Sequence, residues 1–414
     1  MRRGIFGGVF DFTVFIRRFR LPVREAFFLF HNLSCNFLFT TAKKCAIIRL
    51  IRRKIVKIIH TGDIHIGSAF QSLPREKERL RKAEILDGFR RLCAYAKENG
   101  VAAVLIAGDW FEDSEIASDI QREVFTIVQQ AKPVLFFFIT GNHDEYALLD
   151  GAPDNVFRFS QNRGWFTYAL GEGVTVTGMD YADYSTSNFS ALALSPDTYN
   201  IVLLHGDIQG GQTNKDGLPL GSLQNKYIDY LALGHIHAPD GVAKRLDSRG
   251  RYRYCGCPEG RGFDEIGKRG FFLLEIERGT LIDEKFYTFA RREIVEKRVD
   301  ISACNSYADI ESAVNSALQA ERAENIVKVV LCGTYQEGMR KEISLLSDRL
   351  CGRFFHAKVV DESRLFIDAN SFINDCTERG EFIREVQRYN IEPALKDEIL
   401  EVGLKALAGE EIEL

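Results

Sequence analysis

From residue 55 onward the chain repeatedly builds a short, largely apolar run and stops it at a polar motif. The runs are Ile55–Ile59, Val101–Ala107, Pro133–Ile139, Ile201–Leu204 and Leu231–Leu233. They are too short for helices and too uniformly apolar for half-exposed strands, so they read as strands buried on both faces. Between the first three lie helical patterns. Ile85, Phe89, Leu92 and Ala96 mark one helix face, and Ile116, Ile120, Val124 and Ile127 a second. Strands alternating with helices predict layered α/β architecture.

The polar motifs that end the runs are more restrictive still. In order they are Gly62-Asp63-Ile64-His65, Gly108-Asp109, Gly141-Asn142-His143-Asp144, His205-Gly206 and Gly234-His235-Ile236-His237. Five of the chain's eight histidines fall in these motifs. In open α/β sheets, ligand sites form beyond the carboxyl ends of strands. One Gly-Asp or Asp-x-His alone is ordinarily a turn or a helix cap. Five such motifs in succession, each in the same context, predict one composite site.

Asp63 and His65, two apart at a strand end, are expected to point to one face, as are His235 and His237. Carboxylate, amide and imidazole donors without thiolate suit Mn²⁺, Fe or Zn²⁺, whereas Mg²⁺ prefers all-oxygen shells. The candidate metal ligands are Asp63, His65, Asp109, Asn142, His205, His235 and His237, a set sufficient for two divalent ions. A carboxylate such as Asp109 can bridge two ions, which in two-metal sites lie about 3.5–4 Å apart. The predicted chemistry is hydrolysis of a phosphoester. His143, beside a ligand, is the candidate catalytic acid for the departing oxygen.

Together these motifs resemble those of the calcineurin-like metallophosphoesterase superfamily. The resemblance implies an α/β fold: a four-layer α-β-β-α sandwich with a small α/β capping domain and C-terminal helices. It implies one ion on Asp63, His65, Asp109 and His237, a second on Asp109, Asn142, His205 and His235, and His143 as the catalytic histidine. Three stretches further resemble the SbcD-type DNA repair exonucleases, especially the YhaO-like bacterial branch. They are Lys57-Ile58-Ile59-His60-Thr61-Gly62-Asp63-Ile64-His65-Ile66-Gly67, Gly108-Asp109-Trp110-Phe111 and Pro258-Glu259-Gly260-Arg261-Gly262-Phe263-Asp264-Glu265. The likeness spans about residues 55–300. It implies a Mn²⁺-dependent exonuclease or endonuclease subunit acting on DNA in repair, working with an SMC-like ATPase; a homodimer is compatible with it. One position departs from the archaeal and eukaryotic pattern, which has a histidine where this chain has Glu112. Glu112 is expected to orient His143 through a hydrogen bond. Unchanged turnover in Glu112→Gln, beside an inactive His143→Ala, would remove that idea.

Residues 55–300 are read as the phosphoesterase domain, with the alternating stretch 270–300 completing its second sheet. Residues 301–365 form an α/β cap: helix near 306–321, strand Ile326–Leu331, helix near 339–351, strand His356–Val360. From 366 the pattern is helical, with Phe382, Val386 and Tyr389 on one face, then Leu395, Ile399 and Leu404. This segment is either a dock for the ATPase or a helix pair packed on its own cap.

Charge divides the chain unevenly. Residues 1–54 hold twelve Lys and Arg against two Asp and Glu, net +10, so the remainder carries −14 within the overall −4. An acidic body argues against unaided binding to a nucleic-acid backbone. The nine cysteines are scattered, Cys255 and Cys257 read as packing, and reduced thiols fit a cytoplasmic protein. The longest charge-free run of the basic segment, Ala26–Ala42, falls short of the roughly 20 apolar residues of a spanning helix, so no membrane is expected. The segment's composition also fits a transit peptide, but an initiation site placed too early is the preferred reading, with the folded protein starting near Val56. A native chain beginning at Met1 would contradict it. Two alternatives to a nuclease stand beside it: a phosphodiesterase or phosphatase for small molecules, and a catalytically weak scaffold for an ATPase.

Overall fold

The computed structural model describes residues 55–407 apart from 69, 71, 114–116, 146–150, 160–163, 185–187, 209–215, 337 and 367–374. The expectations for residues 1–54 and for Ile116 lie outside the described residues.

Two six-stranded sheets stack face to face. The first contains β1 (Val56–Thr61), β2 (Ala103–Ala107), β3 (Leu135–Ile139) and β4 (Val156–Arg158), all parallel. The second contains β5 (Phe166–Gly171), β6 (Val174–Gly178), β7 (Tyr199–His205), β8 (Tyr230–Gly234), β9 (Lys244–Arg245) and β10 (Arg251–Tyr254). Strand alternation explains why the runs are largely apolar. Ile58, Leu105 and Phe137 face the second sheet's Val176, Ile201 and Tyr230. Their neighbours Ile59, Val104, Phe136 and Phe138 face outward and are covered by helices.

Those helices are α1 (Arg75–Glu98) and α2 (Ser118–Gln130). Ile85, Phe89, Leu92 and Ala96 of α1 are buried as their spacing predicts, with Val124 and Ile127 of α2. The outer face of the second sheet is covered more thinly. Met179, Tyr181, Tyr184, Leu192, Leu218 and Leu223 come from loops, two 3₁₀ turns and the helical turn Leu220–Leu223.

One expectation is corrected here. Residues 270–300 do not complete the second sheet. β11 (Gly270–Glu277) pairs antiparallel with β1 of the first sheet, and β12 (Thr280–Thr288) pairs with β11. Alternation announces a strand but not its neighbour, and the open edge beside β1 takes this hairpin. β13 (Ile294–Asp300) then leaves for another sheet, where it pairs in parallel with β14 (Ile326–Cys332), itself beside β15 (His356–Asp361). Helices α3 (Tyr307–Ala317) and α4 (Ile343–Arg353) cover this smaller sheet, with Ile310, Val314, Leu346 and Leu350 in its core.

A buried ion network ties the two bodies together. Arg81 of α1 donates to Glu84 at 2.6 Å and to the Gly260 carbonyl at 2.7 Å. From the other side Arg292 donates to Glu84 at 2.9 and 2.6 Å, gives a third N–H to the Glu324 carbonyl at 2.7 Å, and lies 3.6 Å above the Phe355 ring. Glu84 is 7% exposed, so its removal strands two guanidinium groups away from water. Glu84→Ala is expected to cost about 3 kcal/mol, the low end for a broken buried pair, since each arginine keeps another acceptor. Urea unfolding measures it; a loss under about 1 kcal/mol would place the network with exposed pairs.

The chain ends in α5 (Glu378–Arg388) and α6 (Pro393–Leu407). Ile383, Val386, Leu400 and Leu404 bury against one another, with Leu365 and Phe382 beside them. Phe382, Val386 and Leu404 of the expected faces are therefore packed, whereas Tyr389, Leu395 and Ile399 are 59%, 47% and 37% exposed. Tyr389 comes after the helix in extended backbone, which takes it off the helical stripe. Among the described residues, no helix is long and apolar enough to cross a membrane.

Candidate metal centre

The five motifs meet at one rim because β1, β2 and β3 run parallel, as do β7 and β8. The sheets are close enough there to touch. Asp63 N–H donates to the Gly108 carbonyl at 3.1 Å and His65 N–H to the Asp109 carbonyl at 2.9 Å. Across the sheets, His235 N–H donates to the Asp63 carboxylate at 2.9 Å. A Cβ on Gly108 would strike the His205 ring, and one on Gly234 would strike the Ala107 carbonyl. These two glycines are steric requirements of the sheet contact.

The shared direction of Asp63 and His65 has a different cause from strand alternation. β1 ends at Thr61, and both residues lie in left-handed backbone, φ 49° and 50°. Asp109 (φ 48°) and His235 (φ 101°) are also left-handed. Non-glycine residues in this region cost about 1–3 kcal/mol each and persist where surrounding contacts enforce them. Four of the seven candidate ligands sit in such backbone, which turns each side chain towards the rim.

The donor atoms converge. Asp109 Oδ2 lies 3.5 Å from His65 Nε2 and 3.5 Å from His205 Nε2. Asn142 Oδ1 lies 3.0 Å from His205 Nε2 and 3.2 Å from His235 Nδ1. Donor atoms of Asp63, His65 and His237 lie within 4.8 Å of one another, as do those of Asp63, Asp109 and His205, and of His65, Asp109 and His143. Outer contacts choose the tautomers. His205 Nδ1 is 2.9 Å from the Ala107 carbonyl and His237 Nδ1 is 2.7 Å from Glu265 Oε1. Each ring thus gives its Nδ1 proton outward and keeps an Nε2 lone pair. His65 Nε2 is buried with no hydrogen-bond partner, which fits a cation better than a structural role.

Electrostatics differs among the ligands. Burial, above all, lowers the pKa of His65 and His235. Burial opposes charge on His237 too, but its hydrogen bond to Glu265 and the Asp63 charge outweigh it and raise its pKa. Burial pushes the Asp109 carboxyl up, but His205 and His65 outweigh it and hold it below the ordinary range.

Three residues without a role in the sequence reading belong to this site. Asp144 accepts from the N–H groups of Trp110, Phe111 and Gly141 at 2.8, 3.2 and 2.8 Å, clamping two ligand loops together. Burial and then the Asp109 charge push its pKa up to about 7. Arg261 and Glu265 lie in the motif 258–265, where their four-residue separation gave no hint that both reach His237. Glu112 is where expected, but its carboxylate favours another ring. Its Oε2 is 2.9 Å from His65 Nδ1, off the ring's hydrogen-bonding direction, while Oε1 is 4.0 Å from His143 Nδ1. His143 Nδ1 instead lies 3.2 Å from the Glu112 backbone carbonyl.

Residues 56–239 match the family model described as calcineurin-like phosphoesterase. The chain is 26% identical over 261 residues to the DNA double-strand break repair protein Mre11 of Methanopyrus kandleri, covering 56% of each chain. It is 24% identical over 362 residues to the protein of that name from Haloferax volcanii, covering 86% of this chain and 76% of the relative. It therefore spans about half the length of the first relative. A dimetal phosphatase from Danio rerio superposes on 56% of the chain and 99% of its own length, at 11% identity and a TM-score of 0.38. The match to the calcineurin-like phosphoesterase model thus covers residues 56–239 of the 414.

Proposed function

We propose that the chain is a Mn²⁺-dependent phosphodiester hydrolase that cuts DNA at an end, as the nuclease subunit of a repair complex with an SMC-like ATPase. The observation that carries the metal reading is the position of Asp109 Oδ2, equidistant at 3.5 Å from an imidazole of each predicted half of the site. Asp63, His65 and His237 complete one half, and Asn142, His205 and His235 the other. When bound, two divalent ions would lower the pKa of a water and neutralise charge on the phosphoryl oxygens. Asp109 would keep the halves in register, and His143 would protonate the departing oxygen.

The DNA reading draws on the Mre11 relatives, at modest identity, and the acidic body assigns most backbone binding to the partner. That same charge, −14 outside residues 1–54, favours a second reading: a hydrolase of small phosphodiesters. The full chain with Mn²⁺, offered end-labelled DNA and bis-p-nitrophenyl phosphate in parallel, separates them. Release of labelled nucleotides is the expected result. Turnover of the small ester alone supports the second reading, and no turnover despite bound metal points to a scaffold.

A further inference from the structure

Arg261 reaches two carboxylates that otherwise share nothing. Its Nη1 donates to Glu112 Oε2 at 3.1 Å and its Nη2 to Glu265 Oε1 at 3.0 Å. These are the same two oxygens that face the imidazoles. Glu265 Oε1 is hydrogen-bonded to His237 Nδ1 at 2.7 Å, and Glu112 Oε2 is 2.9 Å from His65 Nδ1, a close charge contact off the hydrogen-bonding direction. The rings of His65 and His237 themselves meet edge to face, 5.2 Å between centroids. One guanidinium thus stands behind two histidines of the same proposed half of the site, through one carboxylate each.

Further contacts make Arg261 a fixed element. Its own backbone N–H donates to Glu265 Oε2 at 2.6 Å, so Glu265 is gripped at both oxygens by one residue. Arg269 donates to the His237 carbonyl at 2.7 Å and holds the backbone there. Arg261 Nη2 is also 3.0 Å from His237 Nδ1, but the ring nitrogen cannot both give a proton to Glu265 and accept one from Arg261. The shorter carboxylate contact decides it, and Arg261 completes the arrangement by binding the carboxylate. Among the described residues the other half has no such support: His205 is held by the Ala107 carbonyl and His235 through its backbone N–H to Asp63.

We propose that Arg261 is a positioning residue that orients His65 and His237 together, through Glu112 and Glu265, so that one half of the metal site is pre-formed as a unit. This rests on the metal reading above. A lysine cannot serve, because a single ammonium on a flexible stem does not span two carboxylates in fixed directions as a planar fork does. Outer partners of this kind typically change metal affinity about 10–100-fold.

The test is Mn²⁺ titration calorimetry on the chelator-stripped full chain in two backgrounds. Asn142→Ala leaves the half containing His65 and His237, and His237→Ala leaves the other. Adding Arg261→Met, or Arg261→Lys, is expected to weaken the remaining ion about 10–100-fold in the Asn142→Ala background and to change nothing in the His237→Ala background. Glu112→Gln, at a half-exposed side chain that folding tolerates, should show the same pattern and serves if the arginine variants do not fold. Equal weakening in both backgrounds, or none in either, overturns the proposal. A single-site parent that binds no Mn²⁺ overturns the metal reading itself, and this proposal with it.

Discussion

His143→Ala is expected to lower turnover of a DNA phosphodiester about 10²–10⁴-fold while leaving bound metal unchanged. The geometry separates His143 from the other histidines. Its backbone N–H donates to Asp109 Oδ1 at 3.0 Å, which fixes the main chain beside the shared carboxylate. Its Nδ1 lies 3.2 Å from the Glu112 carbonyl, an acceptor only, so Nδ1 keeps its proton in that hydrogen bond and Nε2 is the nitrogen through which a proton would pass to the departing oxygen. The side chain is 40% exposed, unlike the enclosed rings of His65 and His205, and so can meet a substrate oxygen. A sugar alkoxide needs a proton to depart, whereas p-nitrophenolate leaves without one. The defect should therefore shrink sharply on bis-p-nitrophenyl phosphate. An equal loss on both substrates would refute the acid role. Loss of an ion would make His143 a ligand, which its proximity to His65 and Asp109 would then explain.

Asp109→Asn should do more damage by another route. The carboxylate sits between His65 and His205, and its other oxygen takes the His143 N–H. An amide removes the charge and turns one oxygen into a donor facing these groups. Both halves of the site lose their common ligand, so both ions should bind more weakly. The activity loss should reach about three orders of magnitude, since the charge stabilisation given up is worth several kcal/mol. Metal analysis after gel filtration and steady-state hydrolysis check the two parts separately. A variant that retains both ions and more than a tenth of the activity would show that Asp109 is not shared.

How much of this was legible beforehand depends on how local the signal is. The strands, α1 and the seven clustered ligand types could be read because apolar runs and strand-end motifs are local patterns. Ile85, Phe89, Leu92 and Ala96 are buried as their spacing demands. The left-handed backbone of Asp63, His65, Asp109 and His235 was not legible, because Asp and His are enriched at positive φ but adopt it in only a small minority of positions. The pairing of β11 with β1 was hidden for a similar reason: a strand's alternation does not name its neighbour across two hundred residues. Arg261, Glu265 and Asp144 lie within legible motifs but had no role, since each acts through a partner distant in sequence or on backbone N–H groups. The C-terminal faces were legible in part: Phe382, Val386 and Leu404 pack, but Ile383 and Leu400 join them from neighbouring stripes that only packing selects.

The proposed function requires that seven side chains from five strand ends hold two ions and that the reaction needs both. The most direct measurement counts bound metal in the purified full chain while following hydrolysis of bis-p-nitrophenyl phosphate through chelation and Mn²⁺ return. Two ions per chain are predicted, with turnover abolished on stripping and restored as the second equivalent binds. Turnover that survives complete removal of metal, or that is already full with a single ion bound, would contradict it.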